Sequence, residues 1–212
     1  MKNLNKKALY SSLALFILFA LWTISVLNFD VKQVGPLGSS VGFAKINASF
    51  HNLTGTHLTL YIITDWLGLV PIAVALGFAV LGLIQWIRRR SILKVDRSII
   101  ALGIFYIAVI SAYILFEVFP VNYRPILIDG FLEASYPSST TLLVTCVMPT
   151  AMHEFGMRIK TRPIRLFVLI LSGTFTAFVV IARLVSGVHW FSDIIGGALL
   201  SGALVTAYYT IN

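Results

Sequence analysis

The sequence predicts an all-α integral membrane protein, a six-helix bundle that forms one membrane domain over residues 1–212. Of the 212 residues, 58% are hydrophobic and 11% are charged, and the mean hydropathy is +0.91. Long apolar runs alternate with short polar segments, and about 20 apolar residues suffice to cross a hydrocarbon core of about 30 Å. The net charge of +8 sits at the ends of these runs. This placement favours membrane lipids as partners and predicts no nucleic-acid partner.

The apolar runs predict spans at about 8–29, 58–87, 99–118, 138–153, 166–181 and 189–210. The first run is too long for the apolar part of a cleaved signal peptide, so we expect it to remain as an anchor. Residues 30–57 are too polar to span but carry aromatic and aliphatic residues. We interpret them as an outer interfacial loop packed over the helices.

Positive charge predicts the orientation of the bundle. With a cytoplasmic amino terminus, six spans put most basic residues on the inner side, as the positive-inside rule asks. The remaining four, Lys32, Lys45, Arg124 and Arg183, then lie outside, which predicts an active site at the outer face of a multi-pass protein of the bacterial cell membrane. The inner set holds 12 of the 16: Lys2, Lys6, Lys7, Arg88, Arg89, Arg90, Lys94, Arg97, Arg158, Lys160, Arg162 and Arg165.

The stretch ARLVSGVHWFSD, residues 182–193, places three charged or titratable residues between apolar segments. Such groups are costly in a membrane and usually functional. Asp193 follows His189 by four residues, so in a helix opened by His189 the carboxylate could hold the imidazole as a nucleophile or base. Arg183 could bind a phosphate through two hydrogen bonds. The alternative is a short polar cap on a membrane helix with an incidental histidine.

This stretch resembles the third signature of the type 2 phosphatidic acid phosphatase (lipid phosphate phosphatase) superfamily, which reads SR, five residues, H, three residues, D. Only the first serine differs, as Ala182. The resemblance implies that His189 attacks phosphorus to form a phosphohistidine, that Asp193 orients it and that Arg183 binds phosphate oxygens.

Arg124 and Pro125 resemble the end of the first signature of that superfamily, K, six residues, RP. Arg124 would then be a second phosphate clamp that stabilises the charge of the transition state. Glu117 stands where the superfamily has its lysine. The alternative for Arg124 is an interfacial arginine that binds lipid headgroups nonspecifically.

Pro137 to Thr140 align with the second signature, PSGH. Free amides and hydroxyls at a helix start suit a bound phosphate, so Ser138, Ser139 and Thr140 are candidate phosphate-binding residues. An ordinary serine/threonine helix cap is the alternative. Thr140 replaces the histidine that protonates the leaving group in the superfamily, and a threonine hydroxyl cannot do so at neutral pH.

Two hypotheses account for the missing acid. Glu117, at an apolar boundary, could hold the proton and donate it. Alternatively, a diphosphate substrate leaves as a stabilised phosphate and needs no donor. His51 and His57 lie on the outer loop and could reach the site, whereas His153 is about 20 Å along the fourth predicted span toward the basic side.

The resemblance implies a membrane phosphatase that hydrolyses a lipid phosphate or diphosphate, for example polyprenyl diphosphate, phosphatidylglycerophosphate or phosphatidate, without a metal or other cofactor. A noncatalytic protein that binds or carries a lipid phosphate is the main alternative, since two superfamily residues are replaced. A porelike or structural helical bundle is the third possibility, and it leaves Arg124 and Arg183 unexplained. The single cysteine, Cys146, excludes a disulfide framework within the chain and is interpreted as a packing residue.

Overall fold

A computed structural model of the chain describes residues 5–211, the last of them by its backbone alone. Over this range the chain forms eight α-helices and no strand, which confirms the predicted all-α class. Lys2, one of the basic residues predicted to be cytoplasmic, lies outside the described residues. The helices are α1 (Lys6–Asn28), α2 (Ala44–Thr54), α3 (Leu58–Leu67), α4 (Leu69–Arg89), α5 (Arg97–Val118), α6 (Ser139–Arg158), α7 (Arg162–Val185) and α8 (Phe191–Ile211).

Five helical segments are long and apolar enough to cross a membrane by length and composition. One of them is formed by α3 and α4 together and has 32 residues. Long, uncharged helices of this kind satisfy their own backbone hydrogen bonds, as hydrocarbon surroundings require. The five segments are Lys6–Asn28, Leu58–Arg89, Arg97–Val118, Arg162–Val185 and Phe191–Thr210.

The fourth predicted span corresponds to α6, which is not among these five. Ten of its 20 residues are buried, and α4, α5, α7 and α8 all contact it. A helix enclosed by other helices meets little lipid, so threonines and even Glu154 can lie within it when they are hydrogen-bonded. The low hydropathy of α6 therefore reflects its central place in the bundle.

The second predicted span is divided at Gly68, where α3 ends and α4 begins. Pro71 lies in the first turn of α4. Its missing N–H cannot bond to the carbonyl of Leu67, and its ring crowds that carbonyl. The division makes α3 a separate ten-residue helix, which contacts α7 at the end of the bundle that holds the candidate site.

Small residues of α8 allow close packing against α1 and the start of α6. The Ser12 hydroxyl of α1 donates to the carbonyl of Ala203 at 3.0 Å. A Cβ on Gly196 would lie 2.5 Å from the ring of Tyr136, and one on Gly197 would lie 3.2 Å from the carbonyl of Ser138. Side chains at these two glycines would push Tyr136 and the start of α6 away from α8.

Helix α2 anchors the segment between α1 and α3 to the start of α8. The fully buried Asn47 amide donates to the Gly42 carbonyl at 2.7 Å and to the Ser192 hydroxyl at 2.9 Å. Its oxygen accepts the backbone N–H of Ser192 at 3.1 Å. Leu37 and Leu53 in the same segment are 80% and 82% exposed, which suits a position at a membrane interface.

Candidate active site

His189 lies in the loop between α7 and α8, not in a helix. Helix α8 begins at Phe191, so the predicted one-face arrangement of His189 and Asp193 within a helix is not the arrangement found. Asp193 instead closes the first turn of α8, because its Oδ2 accepts the backbone N–H of Trp190 at 2.9 Å. Gly187 has φ +69°, and a Cβ there would lie 1.9 Å from the carbonyl oxygen of Gly55. The loop therefore requires glycine at this position.

The two ring nitrogens of His189 have different partners. Nδ1 lies 3.1 Å from the carbonyl oxygen of Ser135, and Nε2 lies 3.3 Å from Nη1 of Arg124. A carbonyl only accepts and a guanidinium only donates. This assigns the hydrogen to Nδ1 and the lone pair to Nε2. Nε2, which faces Arg124, is therefore the nitrogen that carries the lone pair.

His189 is 3% exposed. Burial lowers its pKa well below the ordinary value of 6.5, and the positive charges of Arg124 and Arg183 lower it further. The imidazole is therefore neutral at pH 7. A neutral imidazole is the form that can attack an electrophile.

Asp193 is fully buried and stands beside the imidazole without hydrogen-bonding to it. Its Oδ2 lies 3.8 Å from Nδ1 of His189, beyond hydrogen-bond range. Its Oδ1 accepts from the Asn122 amide at 3.3 Å. The expectation that this carboxylate holds the imidazole by a hydrogen bond is therefore corrected: the Ser135 carbonyl is the hydrogen-bonded partner of Nδ1, and Asp193 lies beside the ring.

Arg124 projects from the segment between α5 and α6, residues 119–138. Its Nε forms an ion pair with Glu133, 2.9 Å from Oε2, without the geometry of a hydrogen bond. Its backbone N–H donates to the Glu133 carbonyl at 3.0 Å. The Trp190 indole donates to the carbonyl of Tyr123 at 2.7 Å. This bond joins the segment to the loop of His189, so Arg124 and the imidazole are brought together by contacts on both sides.

Arg183, in the last turn of α7, is 1% exposed and is held by α3. Its Nη1 donates to the Thr64 hydroxyl at 3.1 Å, and its Nη2 lies 3.5 Å from Oδ1 of Asp65. The ring of Tyr61 lies 4.7 Å from the Arg183 guanidinium and 5.8 Å from that of Arg124. Both guanidiniums therefore share this region, although much of the hydrogen-bonding capacity of Arg183 is already used.

A cavity of about 260 Å³ opens beside His189. Two carboxylates, Glu117 and Glu133, share it with Arg124 and His189, so it combines a guanidinium, a neutral imidazole and two acidic side chains. Arg183 and Asp193 are outside its lining. The lining consists of Tyr113, Phe116, Glu117, Arg124, Glu133, Ala134, Ser135, Tyr136, Pro137, Ser139, Leu142 and His189.

The three residues at the start of α6 have different environments. Ser139 lines the cavity, whereas Ser138 and Thr140 do not. Ser138 is the N-cap of α6, and its hydroxyl accepts the N–H of Thr141 at 3.5 Å. The backbone N–H of Ser138 donates to the Asp193 carbonyl at 3.1 Å. The geometry thus gives Ser138 the capping role that the sequence left as an alternative.

The other three histidines are outside the cavity lining. His51 packs against Trp190 with ring centroids 5.7 Å apart, and His57 Nε2 lies 2.8 Å from the carbonyl oxygen of Thr54. His153 packs against Tyr209 with ring centroids 5.4 Å apart. None of these three side chains therefore occupies the cavity in place of the histidine that the superfamily signature has at the position of Thr140.

Several contacts at the site were not predicted from the sequence. Glu133, Ser135, Asn122 and Asp65 each touch a predicted site residue. Asp65 and Glu133 could have been singled out as charged residues beside apolar spans. The carbonyl of Ser135 carries no signal in the sequence, because every residue has one. Among residues 5–211, no three His, Cys, Asp or Glu side chains converge as a metal site.

Comparison with known proteins agrees with this geometry. Residues 116–212 match the model of the PAP2 superfamily. No curated protein sequence matches the chain. Among solved structures, the chain is similar to the crystal structure of the first transmembrane PAP2 type phosphatidylglycerolphosphate phosphatase from Bacillus subtilis, with 17% identity, a TM-score of 0.58, and coverage of 95% of this chain and 96% of that one. At this identity, the similarity shows a common transmembrane fold.

The matched segment contains Glu117, Arg124, Arg183, His189 and Asp193. The fold similarity therefore extends over nearly the whole chain, whereas the family match is confined to residues 116–212, which carry these five residues. The match confirms the predicted resemblance to this superfamily for residues 116–212.

Proposed function

We propose that the protein is a membrane phosphatase that hydrolyses a lipid phosphate or diphosphate through a phosphohistidine at Nε2 of His189. The observation that carries the proposal is the neutral, buried imidazole whose lone pair faces Arg124 in a polar cavity. A mere binding site needs cations for phosphate but no oriented nucleophile beside them. The match of residues 116–212 to the PAP2 superfamily supports the same class of activity.

The first step is attack of Nε2 on phosphorus. A phosphoryl group that enters the cavity takes over Nη1 of Arg124, which frees the Nε2 lone pair. The Nε2–P bond forms while the P–O bond to the lipid breaks, and the electron pair leaves with the lipid oxygen. Arg124 stabilises the charge on the phosphoryl oxygens. The Ser135 carbonyl keeps Nδ1–H in place, and Asp193, 3.8 Å away, stabilises the positive charge of the phosphorylated ring.

The second step is hydrolysis of the phosphohistidine. Water attacks phosphorus, the Nε2–P bond breaks and its electron pair returns to the imidazole, while inorganic phosphate leaves. We propose Glu117 as the donor of the proton to the lipid oxygen in the first step and as the base that takes a proton from water in the second. Its place in the cavity lining supports this role. The reaction needs no metal.

We propose the chemical class of the substrate, a lipid phosphate or diphosphate, and three lipids with which to test it. A lipid monophosphate requires the proton donor, whereas a diphosphate releases a stabilised phosphate without one. Phosphatidylglycerophosphate is one substrate to test, because the similar solved protein is described as a phosphatidylglycerolphosphate phosphatase. Phosphatidate and a polyprenyl diphosphate are the other two. We propose that the site opens at the outer membrane face, since the basic α4–α5 and α6–α7 connections lie at the other end of the bundle.

A noncatalytic lipid-phosphate binder or carrier is the second candidate. Two observations favour it: Thr140 replaces the superfamily's acid, and Nη1 of Arg124 covers the nucleophilic nitrogen. Such a protein would bind a lipid phosphate and release no inorganic phosphate.

The deciding experiment uses purified protein in detergent with the three lipids. We expect phosphate release that vanadate inhibits, and acid-labile radioactive phosphate on the protein after a brief reaction with labelled substrate. The label should be lost in His189→Ala. Binding of all three lipids without release of phosphate would support the carrier and exclude the phosphatase.

A further inference from the structure

Glu133 lines the cavity beside Arg124 and has no part in the proposed mechanism. The two residues face each other across the segment 119–138, joined by the backbone hydrogen bond of 3.0 Å and by the 2.9 Å contact of their side chains. The Arg124 side chain is 10% exposed and that of Glu133 is 41% exposed. The carboxylate therefore stands at the open side of the cavity and the guanidinium inside it.

The carboxylate contacts one particular nitrogen of the guanidinium. Glu133 lies at Nε, the nitrogen nearest the chain, whereas Nη1 faces His189. A planar guanidinium can bind phosphate through its two terminal nitrogens while a third group holds Nε. Glu133 and a phosphate thus need not compete for the same edge. The carboxylate restricts rotation of the guanidinium and keeps the terminal edge directed at the nucleophile.

The pair is not required to close the segment. Backbone bridges between Tyr123 and Ala134 and between Ile128 and Phe131 already hold its two arms together. An ion pair whose carboxylate is this exposed contributes little to folding stability. The side chain of Glu133 therefore acts mainly on the orientation of Arg124.

We propose that Glu133 is a positioning residue that fixes Arg124 through Nε and thereby sets the affinity of the site for the phosphoryl group. When phosphate arrives, Nη1 leaves Nε2 of His189 and both terminal nitrogens bind phosphoryl oxygens, while Nε stays on Glu133. This inference rests on the proposed phosphate-binding function. It assigns to the carboxylate a role in substrate affinity and none in proton transfer.

The test compares Glu133→Ala with Glu133→Gln in the full-length protein. We expect Glu133→Ala to lower kcat/KM about tenfold and to weaken vanadate binding by the same factor, because Arg124 loses the carboxylate that holds its Nε. Glu133→Gln should fall between Glu133→Ala and the wild type, because it keeps the size of the side chain but loses the charge of the ion pair. Asp129→Asn is the matched control: it removes an exposed carboxylate from the same segment and should change neither quantity.

A double variant isolates the path through Arg124. In an Arg124→Lys background, which has no Nε–H, Glu133→Ala should change vanadate affinity less than about twofold. Unchanged vanadate affinity in the single Glu133→Ala variant would overturn the proposal, and so would tighter binding, since that would make Glu133 a competitor of phosphate. If alanine prevents folding, Glu133→Ser takes its place in both comparisons.

Vanadate binding is measured by the shift of the unfolding midpoint, which needs no turnover. A wild-type protein that binds vanadate but releases no phosphate from any lipid would refute the phosphatase and still test Glu133. A wild-type protein that does not bind vanadate would refute both proposals.

Discussion

The bundle carries two buried polar clusters, one toward each end of α6, and they differ in whether their side chains line the cavity. In the cluster around Glu154, the fully buried carboxylate accepts from the Tyr208 hydroxyl at 3.0 Å and the Ser98 hydroxyl at 3.3 Å, and it pairs with Arg158. Arg158 also lies 3.6 Å from Asp96. Charges of this cluster are matched by neighbouring side chains, and none of these residues lines the cavity beside His189.

The cluster around His189 has a different arrangement. His189 and Arg124 both line a cavity, and the lone-pair nitrogen of the imidazole lies 3.3 Å from the Arg124 guanidinium. The comparison teaches that burial of charge alone does not mark a functional site in a membrane bundle, whereas charged and titratable side chains that line a cavity do so.

The largest expected effect is on phosphate release, and it should differ between His189 and His153, which packs against Tyr208 of the Glu154 cluster. His189→Ala should lower phosphate release by about 10³-fold or more, because the nucleophile is removed. His153→Ala, which alters the histidine that packs against Tyr209, should retain activity within about twofold. Phosphate release per folded molecule is the measurement. Equal losses in the two variants would show that His189 contributes only through packing.

The next effect concerns the proton donor. Glu117→Gln should lower hydrolysis of a lipid monophosphate by about 10²-fold, the usual contribution of general acid catalysis, and should alter hydrolysis of a diphosphate much less. The measurement is the ratio of the two rates in purified protein. If monophosphate hydrolysis were unchanged while His189→Ala abolished it, Glu117 would not be the donor.

A substitution in the cluster around Glu154 should lower the free energy of unfolding and leave the rate of phosphate release per folded molecule unchanged. Glu154→Ala leaves Arg158 and the Tyr208 hydroxyl without this carboxylate. Breaking a buried ion pair costs about 3–5 kcal/mol, and the partial exposure of Arg158 should reduce this to about 2 kcal/mol. Thermal unfolding in detergent is the measurement, with Glu154→Gln as the variant that keeps an acceptor. A loss of activity at full stability would contradict the division between the clusters.

The smallest expected effect is on pH dependence. Because the pKa of His189 is lowered in the folded protein, the unfolded chain binds a proton below about pH 6.5 that the folded chain does not. Stability contributed by the neutral imidazole is thus lost as pH falls below that value. The acid limb of kcat/KM that belongs to His189 should lie below pH 6.5. A limb above this pH would contradict the neutral, buried imidazole.

Much of the architecture could be predicted from hydropathy, because lipid-facing helices must be apolar along their length. The even number of predicted spans between residues 124 and 189 also predicted that Arg124 and His189 face the same side, and they lie 3.3 Å apart. The break at Gly68 could have been predicted from Pro71. Helix α6 shows where prediction from hydropathy fails. The side chains of an enclosed helix contact other helices and not lipid, so they need not be apolar.

The finer geometry of the site could not be predicted from spacing. Asp193 follows His189 by four positions whether or not the histidine is helical, and the fold places His189 two positions before the start of α8. The partner of Nδ1 is a backbone carbonyl of Ser135, which depends on how a distant segment packs. The Glu133 contact likewise depends on pairing of the two arms of residues 119–138.

The enclosed position of α6 has a consequence for membrane insertion. A segment that contains Glu154, His153 and several threonines partitions poorly into a bilayer by itself. We expect it to enter the membrane together with the apolar helices α7 and α8 that follow it in the chain. The start of α6 and the loop before α8 both border the cavity. Joint insertion of these helices would therefore bring the two sides of the cavity together as α6 enters the bilayer.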